Sequence, residues 1–169
     1  MIGTSDNPGN MFLMIKDLFE NIQKSRSNKS YQIKVSFIEI YNEMIRDLLI
    51  ISDNVLDLRE DTEQGIHIPN LSIIDVDSPE EVMELLFFGN GNRTQEATNV
   101  NETSSRSHAI LEIRVEQKNK EEDVHEDINI GKLSMIDLAG SERAARTQNR
   151  GIRMVEGAMI NLSLLSLGN

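Results

Sequence analysis

Apolar side chains recur along this 169-residue chain with two different periods. Met11, Ile15, Leu18, Phe19 and Ile22 return every three or four positions, which predicts an amphipathic helix over about residues 10–24. Ile33, Val35 and Phe37 instead alternate with Lys34 and Ser36, the period of a strand. Ile38 and Ile40 make the far half of that strand apolar on its second face too, as a central strand requires. Ala109, Leu111, Ile113 and Val115 alternate with Glu112, Arg114 and Glu116, predicting a strand with one buried face and one wet face. The short run Leu133, Ser134, Met135, Ile136 is mostly apolar and reads as a strand buried on both faces. A leucine-rich helix is expected over residues 154–167.

Punctuation between these elements is clear. Pro8 and Gly9 break the lead-in before the first helix. Ser78, Pro79 and Glu81 form a helix start, with Ser78 as cap, Pro79 in the first turn and Glu81 completing a capping box. Val82, Leu85 and Leu86 give that helix its buried stripe. Gly89 and Gly91 weaken it further on, by about 1 kcal/mol each relative to alanine. Residues 53–71, punctuated by Gly65 and Pro69, predict a hairpin, and residues 118–127 a charged loop. There is no internal repeat and no low-complexity tract.

Composition narrows the function classes. With 38% hydrophobic and 27% charged residues, the chain can build one domain with a core. No apolar run reaches membrane-spanning length and no signal peptide opens the chain, so a membrane partner is not expected. The absence of cysteine excludes disulfides and thiolate metal sites and fits an intracellular protein. A net charge of −11 argues against a nucleic-acid partner. One segment runs against that charge: Arg143, Arg146, Arg150 and Arg153 occur with no acid between them. His67 and His125 lie in polar, solvated sequence rather than in a metal site. Glu39 and Glu43 would share a helical face, but Glu39 lies in strand sequence, so they do not read as an acid/base pair.

Two short polar motifs carry the candidate chemistry. Asp137 ends the run at 133–136, and ligands of open α/β sheets bind outside the carboxyl ends of strands. An Asp there can hold magnesium through a water, and Gly140, three residues on, lets a backbone N–H approach a phosphate. Taken alone, Asp-x-x-Gly reads more readily as a strand ending in a polar turn. The other motif is Asn101-Glu102-Thr103-Ser104-Ser105-Arg106-Ser107-His108. Its serines can bind a metal or its water and donate to phosphate, and Arg106 can pair with a carboxylate such as Glu142. Taken alone, it reads as a polar loop with a capping serine. Together, two such loops at strand ends are what a nucleoside-triphosphate switch needs.

These two motifs resemble switch I and switch II of the kinesin motor domain. Other stretches agree in order: Val35-Ser36-Phe37-Ile38-Glu39-Ile40-Tyr41-Asn42-Glu43, then Asp47-Leu48-Leu49, then Glu156-Gly157 with Ile160-Asn161 and Ser163-Leu164-Leu165. The resemblance runs over essentially the whole chain. Met1-Ile2-Gly3-Thr4 and the segment at 143–151 are most similar to the kinesin-8 class, on its kinesin-19-like branch.

The resemblance implies an α/β fold of the P-loop NTPase type, a central mixed sheet flanked by helices, with its N-terminal strands and phosphate loop missing. Residues 1–169 would start just after that loop and end within the relay helix after switch II. ATP and magnesium are implied for the complete motor domain. Ser105 and Asp137 would hold the metal, the latter through water. Asn101, Ser104, Ser105 and Gly140 would meet the nucleotide. Arg106 and Glu142 would pair across the switches, with Gly140 sensing the γ-phosphate. The implied partner is the microtubule, met by Arg59 in the hairpin lobe and by Arg143, Arg146, Arg150 and Arg153. The implied setting is the cytoplasmic cytoskeleton, with a parent protein that could dimerise through segments outside these residues. Three departures stand beside this. No Gly-x-x-x-x-Gly-Lys-Ser/Thr occurs in the 169 residues. Leu162 stands where the family usually has a basic residue, and Met159 where it usually has a polar one. The alternative reading is a truncated, non-catalytic remnant that at most binds microtubules or another protein.

Overall fold

The computed structural model describes residues 9–52, 54–62, 65–95, 106–120, 128–140 and 152–167. The elements run α1 (Asn10–Ser25), β1 (Lys29–Tyr41), β2 (Met44–Asp47), β3 (Arg59–Asp61), β4 (Gly65–His67), β5 (Ile74–Val76), α2 (Pro79–Gln95), β6 (His108–Asn119), β7 (Asn129–Asp137) and α3 (Ile152–Leu167). The main sheet has the order β2-β1-β6-β7, with β5 also on β1, and β3 and β4 form a separate two-stranded piece.

The two periods of the sequence become three layers. Odd-numbered residues of the strands, among them Val35, Phe37, Leu111, Ile113 and Met135, share one buried cluster with α1 and α2. Met11, Ile15, Phe19 and Ile22 of α1 enter it as their spacing predicts. Val82 and Leu86 of α2 complete it. Each such fully buried side chain contributes about 1.5–3 kcal/mol. Even-numbered residues face the other way. Ile40, Ile110 and Ile136 line a cleft of about 400 Å³ with Leu162 and Ser163 of α3.

Local chemistry sets the joints. β1 and β2 are joined at Asn42 and Glu43, both with positive φ (50° and 65°). A two-residue turn of this kind matches strand twist, but it places a glutamate where glycine is usual. Asp47 closes the base of the β3–β4 lobe: its two carboxylate oxygens accept from Leu49 N–H (2.8 Å) and Ser72 N–H (2.7 Å). At α2, Ser78 Oγ accepts from Glu81 N–H as expected, while the Glu81 carboxylate reaches back to Asp77 N–H rather than to Ser78.

Two expectations are corrected. Every strand pair among the described residues is antiparallel, so the sheet is not mixed within them. β7 is not buried on both faces: most of it is exposed and only Met135 is buried. The reason is its place, since β6 is its one partner among the described residues. α2 also continues through Gly89 and Gly91 to Gln95. Gly89 is a point of contact there, because an added Cβ would lie 2.4 Å from Phe37 Cδ1 and 3.2 Å from Leu48 Cβ.

Two predictions follow for stability. Gly89→Ala forces α2 off a fully packed Phe37 and lowers stability by about 1–3 kcal/mol despite the better helix former. Gly91→Ala, with nothing within 4 Å of its Cβ, raises stability by up to about 1 kcal/mol. Urea unfolding midpoints check both, and a Gly89→Ala midpoint at or above wild type contradicts the close approach. The second prediction concerns pH. The hydrogen bond from Lys34 Nζ (3.0 Å), then the charges of Lys34, Arg114 and Lys118, hold the Glu116 carboxyl below its ordinary 4.5. A carboxyl lowered on folding stabilises above 4.5, and that contribution is lost as pH falls through its lowered folded value. Glu116→Gln therefore flattens the acid limb of the stability–pH curve below 4.5, and an unaltered acid limb contradicts the assignment.

Candidate functional site

The antiparallel register of β6 with β7 sets Ala109 opposite Asp137. The motif that precedes β6 and the motif that follows β7 therefore emerge side by side at one end of the sheet. Residues 106 and 107 enter β6 there, and residues 138–140 leave β7 there.

A side chain that the motifs do not include joins them. Arg93, in the last turn of α2, is buried with 4% exposure. Its Nε donates to Ser107 Oγ at 2.9 Å and its Nη2 to the Ser107 carbonyl at 2.6 Å. Nη1 donates to Asp137 Oδ2 at 3.0 Å. Glu39, buried on the central strand β1, brings Oε1 to 3.7 Å from Arg93 Nε. A guanidinium cannot shed its proton, so once buried it must be neutralised and hydrogen-bonded. Here one arginine holds the ends of both motifs and also meets β1, the strand on the other side of β6 from β7. Sequence reasoning passed over Arg93, since it lies outside both motifs. The only local signal was its helical spacing from Val82, Leu86 and Gly89, which places it on the buried face of α2.

The Asp137 side chain is about half exposed, at the carboxyl end of β7. A hard oxygen donor open to solvent fits a magnesium ion that keeps several waters. Among the described residues no three or more His, Asp or Glu side chains are grouped so as to hold a metal ion. Gly140 is exposed just beyond. Arg106 is buried and lines a small cavity of about 20 Å³ with Tyr41, Glu43, His108, Met159 and Ser163. His108 Nδ1 lies 3.1 Å from Ala139 N, and its Nε2 lies 2.9 Å from Ser163 Oγ on α3. Burial of the ring, then the charge of Arg93, lower its pKa from the ordinary 6.5, against a smaller opposing pull from Glu43.

Asn101, Ser104, Ser105, Glu142, Arg143, Arg146 and Arg150 lie outside the described residues, and with them the expected pairing of Arg106 with Glu142. Arg153 belongs to the first turn of α3. Arg59 opens β3 in the lobe, where its side chain is exposed and only loosely paired with Asp57 at 3.8 Å. Beside it the lobe exposes Leu58 and Ile66, the latter at 71%. Leu162 is exposed on α3, and Met159 is half-buried there.

The family model of the kinesin motor domain matches residues 1–169. Kinesin-like protein KIF19 of Xenopus laevis is 50% identical over 169 residues, covering 100% of this chain and 17% of that protein. Kinesin-like protein KIP3 of Saccharomyces cerevisiae is 50% identical, covering 99% of this chain and 21% of that protein. Among solved structures, the KIF14 dimer with AMP-PNP on a microtubule superposes with a TM-score of 0.84 at 36% identity, covering 99% of this chain and 49% of that one. The chain thus spans under a quarter of the length of these curated relatives and about half of that solved chain. The KIF19 match agrees with the kinesin-19-like branch read from the sequence. Motif order, fold and similarity along its whole length converge: this chain belongs to the kinesin motor-domain family.

Proposed function

We propose that this chain is the switch-bearing part of an ATP-driven microtubule motor of the cytoskeleton. The observation that carries the reading is the bridge of Arg93 between Ser107 and Asp137, which holds the ends of both motifs at one end of the sheet. Phosphoryl transfer by such motors is mostly positioning and electrostatics. Asn101 and Ser104 bind the terminal phosphate region. Ser105 and Asp137, the latter through water, would hold magnesium, which would supply positive charge to offset that of the phosphates. The Gly140 N–H senses the γ-phosphate. Arg106 pairs with Glu142 and closes the pocket around the attacking water. The KIF14 structure named above carries AMP-PNP and a microtubule, which supports the same ligand classes here. Arg59 in the exposed lobe, with Arg143, Arg146, Arg150 and Arg153, supplies positive charge toward an acidic filament despite the net charge of −11.

The second reading, a non-catalytic remnant, draws on the lack of a Gly-x-x-x-x-Gly-Lys-Ser/Thr loop within these 169 residues. Steady-state ATP hydrolysis with and without microtubules separates the two. The 169-residue chain alone is expected to show no microtubule-stimulated turnover. A longer protein that places such a loop before Met1 is expected to show it, and its failure to do so favours the remnant. In that longer protein Arg93→Ala lowers microtubule-stimulated kcat by roughly 10- to 100-fold, the usual effect of losing a group that orients metal ligands. A variant with wild-type kcat would remove the bridge from the mechanism.

A further inference from the structure

One side chain connects the carboxyl end of β7 to the middle of α3. The Ala139 backbone N–H donates to His108 Nδ1 at 3.1 Å. A backbone amide can only donate, so Nδ1 must be the unprotonated nitrogen. The ring proton then lies on Nε2, which donates to Ser163 Oγ at 2.9 Å. The Ser163 hydroxyl spends its own proton on the Ile160 carbonyl at 2.8 Å, one turn back in the same helix. All three bonds run in one direction, from the residue next to Gly140 into α3. The ring and the Ala139 amide are buried, so that amide has no water to fall back on. Its neutral form, favoured by burial and by the neighbouring Arg93 charge, is the form this chain of bonds requires.

We propose that His108 is a positioning residue that makes the placement of α3 depend on the backbone at 139 and 140. The proposal deepens the motor reading and rests on it for what moves Gly140. An aromatic ring held at both nitrogens is a rigid link: if Ala139 shifts, the ring and Ser163 follow, or a buried N–H loses its partner. A ring that merely fills space between β6 and α3 would not carry this dependence.

Side chains that imitate one nitrogen at a time separate the two roles. The Asn carbonyl can replace Nδ1 as acceptor for Ala139, and the longer Gln amide can replace Nε2 as donor to Ser163. Amide hydrogen exchange in α3, with α1 as internal reference, reads the effect in the purified 169-residue chain. His108→Gln, which cuts the link at the Ala139 end, is expected to speed exchange around Ser163 about five- to tenfold, as much as Ser163→Ala does at the other end. His108→Asn, which cuts the Ser163 end, matches Ser163→Ala, and Ser163→Thr restores protection. Nitrogen-15 spectra of the wild-type imidazole are expected to show the proton on Nε2. A proton on Nδ1, or α3 exchange unchanged in His108→Gln while Ser163→Ala speeds it, overturns the proposal. So does wild-type α3 without protection. None of these measurements involves nucleotide or microtubules. Loss of this link would leave the motor reading standing, and absent ATP turnover in the longer protein would leave the link standing.

Discussion

A guanidinium buried to 4% exposure must find counter-charge and acceptors inside the protein, and Arg93 finds them on three separate elements. Leaving such a group unpaired costs several kcal/mol, far more than one contact normally contributes. The arrangement around it is correspondingly constrained. α2 must run long enough to deliver the arginine, which carries the helix through two glycines. The entry to β6 must offer Ser107 with both its hydroxyl and its carbonyl. β7 must end with Asp137 at the height that the β6 register sets. Glu39 supplies buried charge at 3.7 Å, yet its Oε1 has no hydrogen-bond partner among the described residues. Arg93 instead donates hydrogen bonds to the two motif ends, at Ser107 and Asp137, and ties them to each other.

The rest of the fold serves that end of the sheet. The long antiparallel pairing of β1 with β6 forms the spine, from Lys29 opposite Asn119 to Ile40 opposite His108. One face of the spine is sealed by α1 and α2 and is rigid by packing. The other face meets α3 more loosely, across the cleft beside Ile136 and Leu162. A helix seated over a cleft can be re-seated with less disruption than one that fills a core. His108 sits on the boundary, as the first residue of β6 and within reach of both β7 and α3.

Local periodicity was enough to read much of this. The stripe of α1, the alternation of β1 and β6, and the cap at Ser78 depend on residues a few positions apart, and each formed as read. Asp137 and Gly140 could likewise be placed at a strand end, because a strand stops where its apolar run stops. Arg106 was legible as part of a motif, though its burial against α3-lining residues was not. The exposure of β7 was misread from the same apolar run, since such a run records what a strand can bury rather than which neighbours it has.

What the sequence alone determined, then, is the set of elements, the face each one buries, and the family motifs in their order. What only the tertiary structure decided is which distant polar groups meet: Arg93 with Asp137, His108 with Ser163, Asp47 with Ser72. The physical reason is range. Hydrophobic faces are set by the pitch of a single helix or strand, whereas a hydrogen bond between residues 44 or 55 positions apart needs register and helix placement correct to within an ångström. No local pattern encodes that distance; the packed core does.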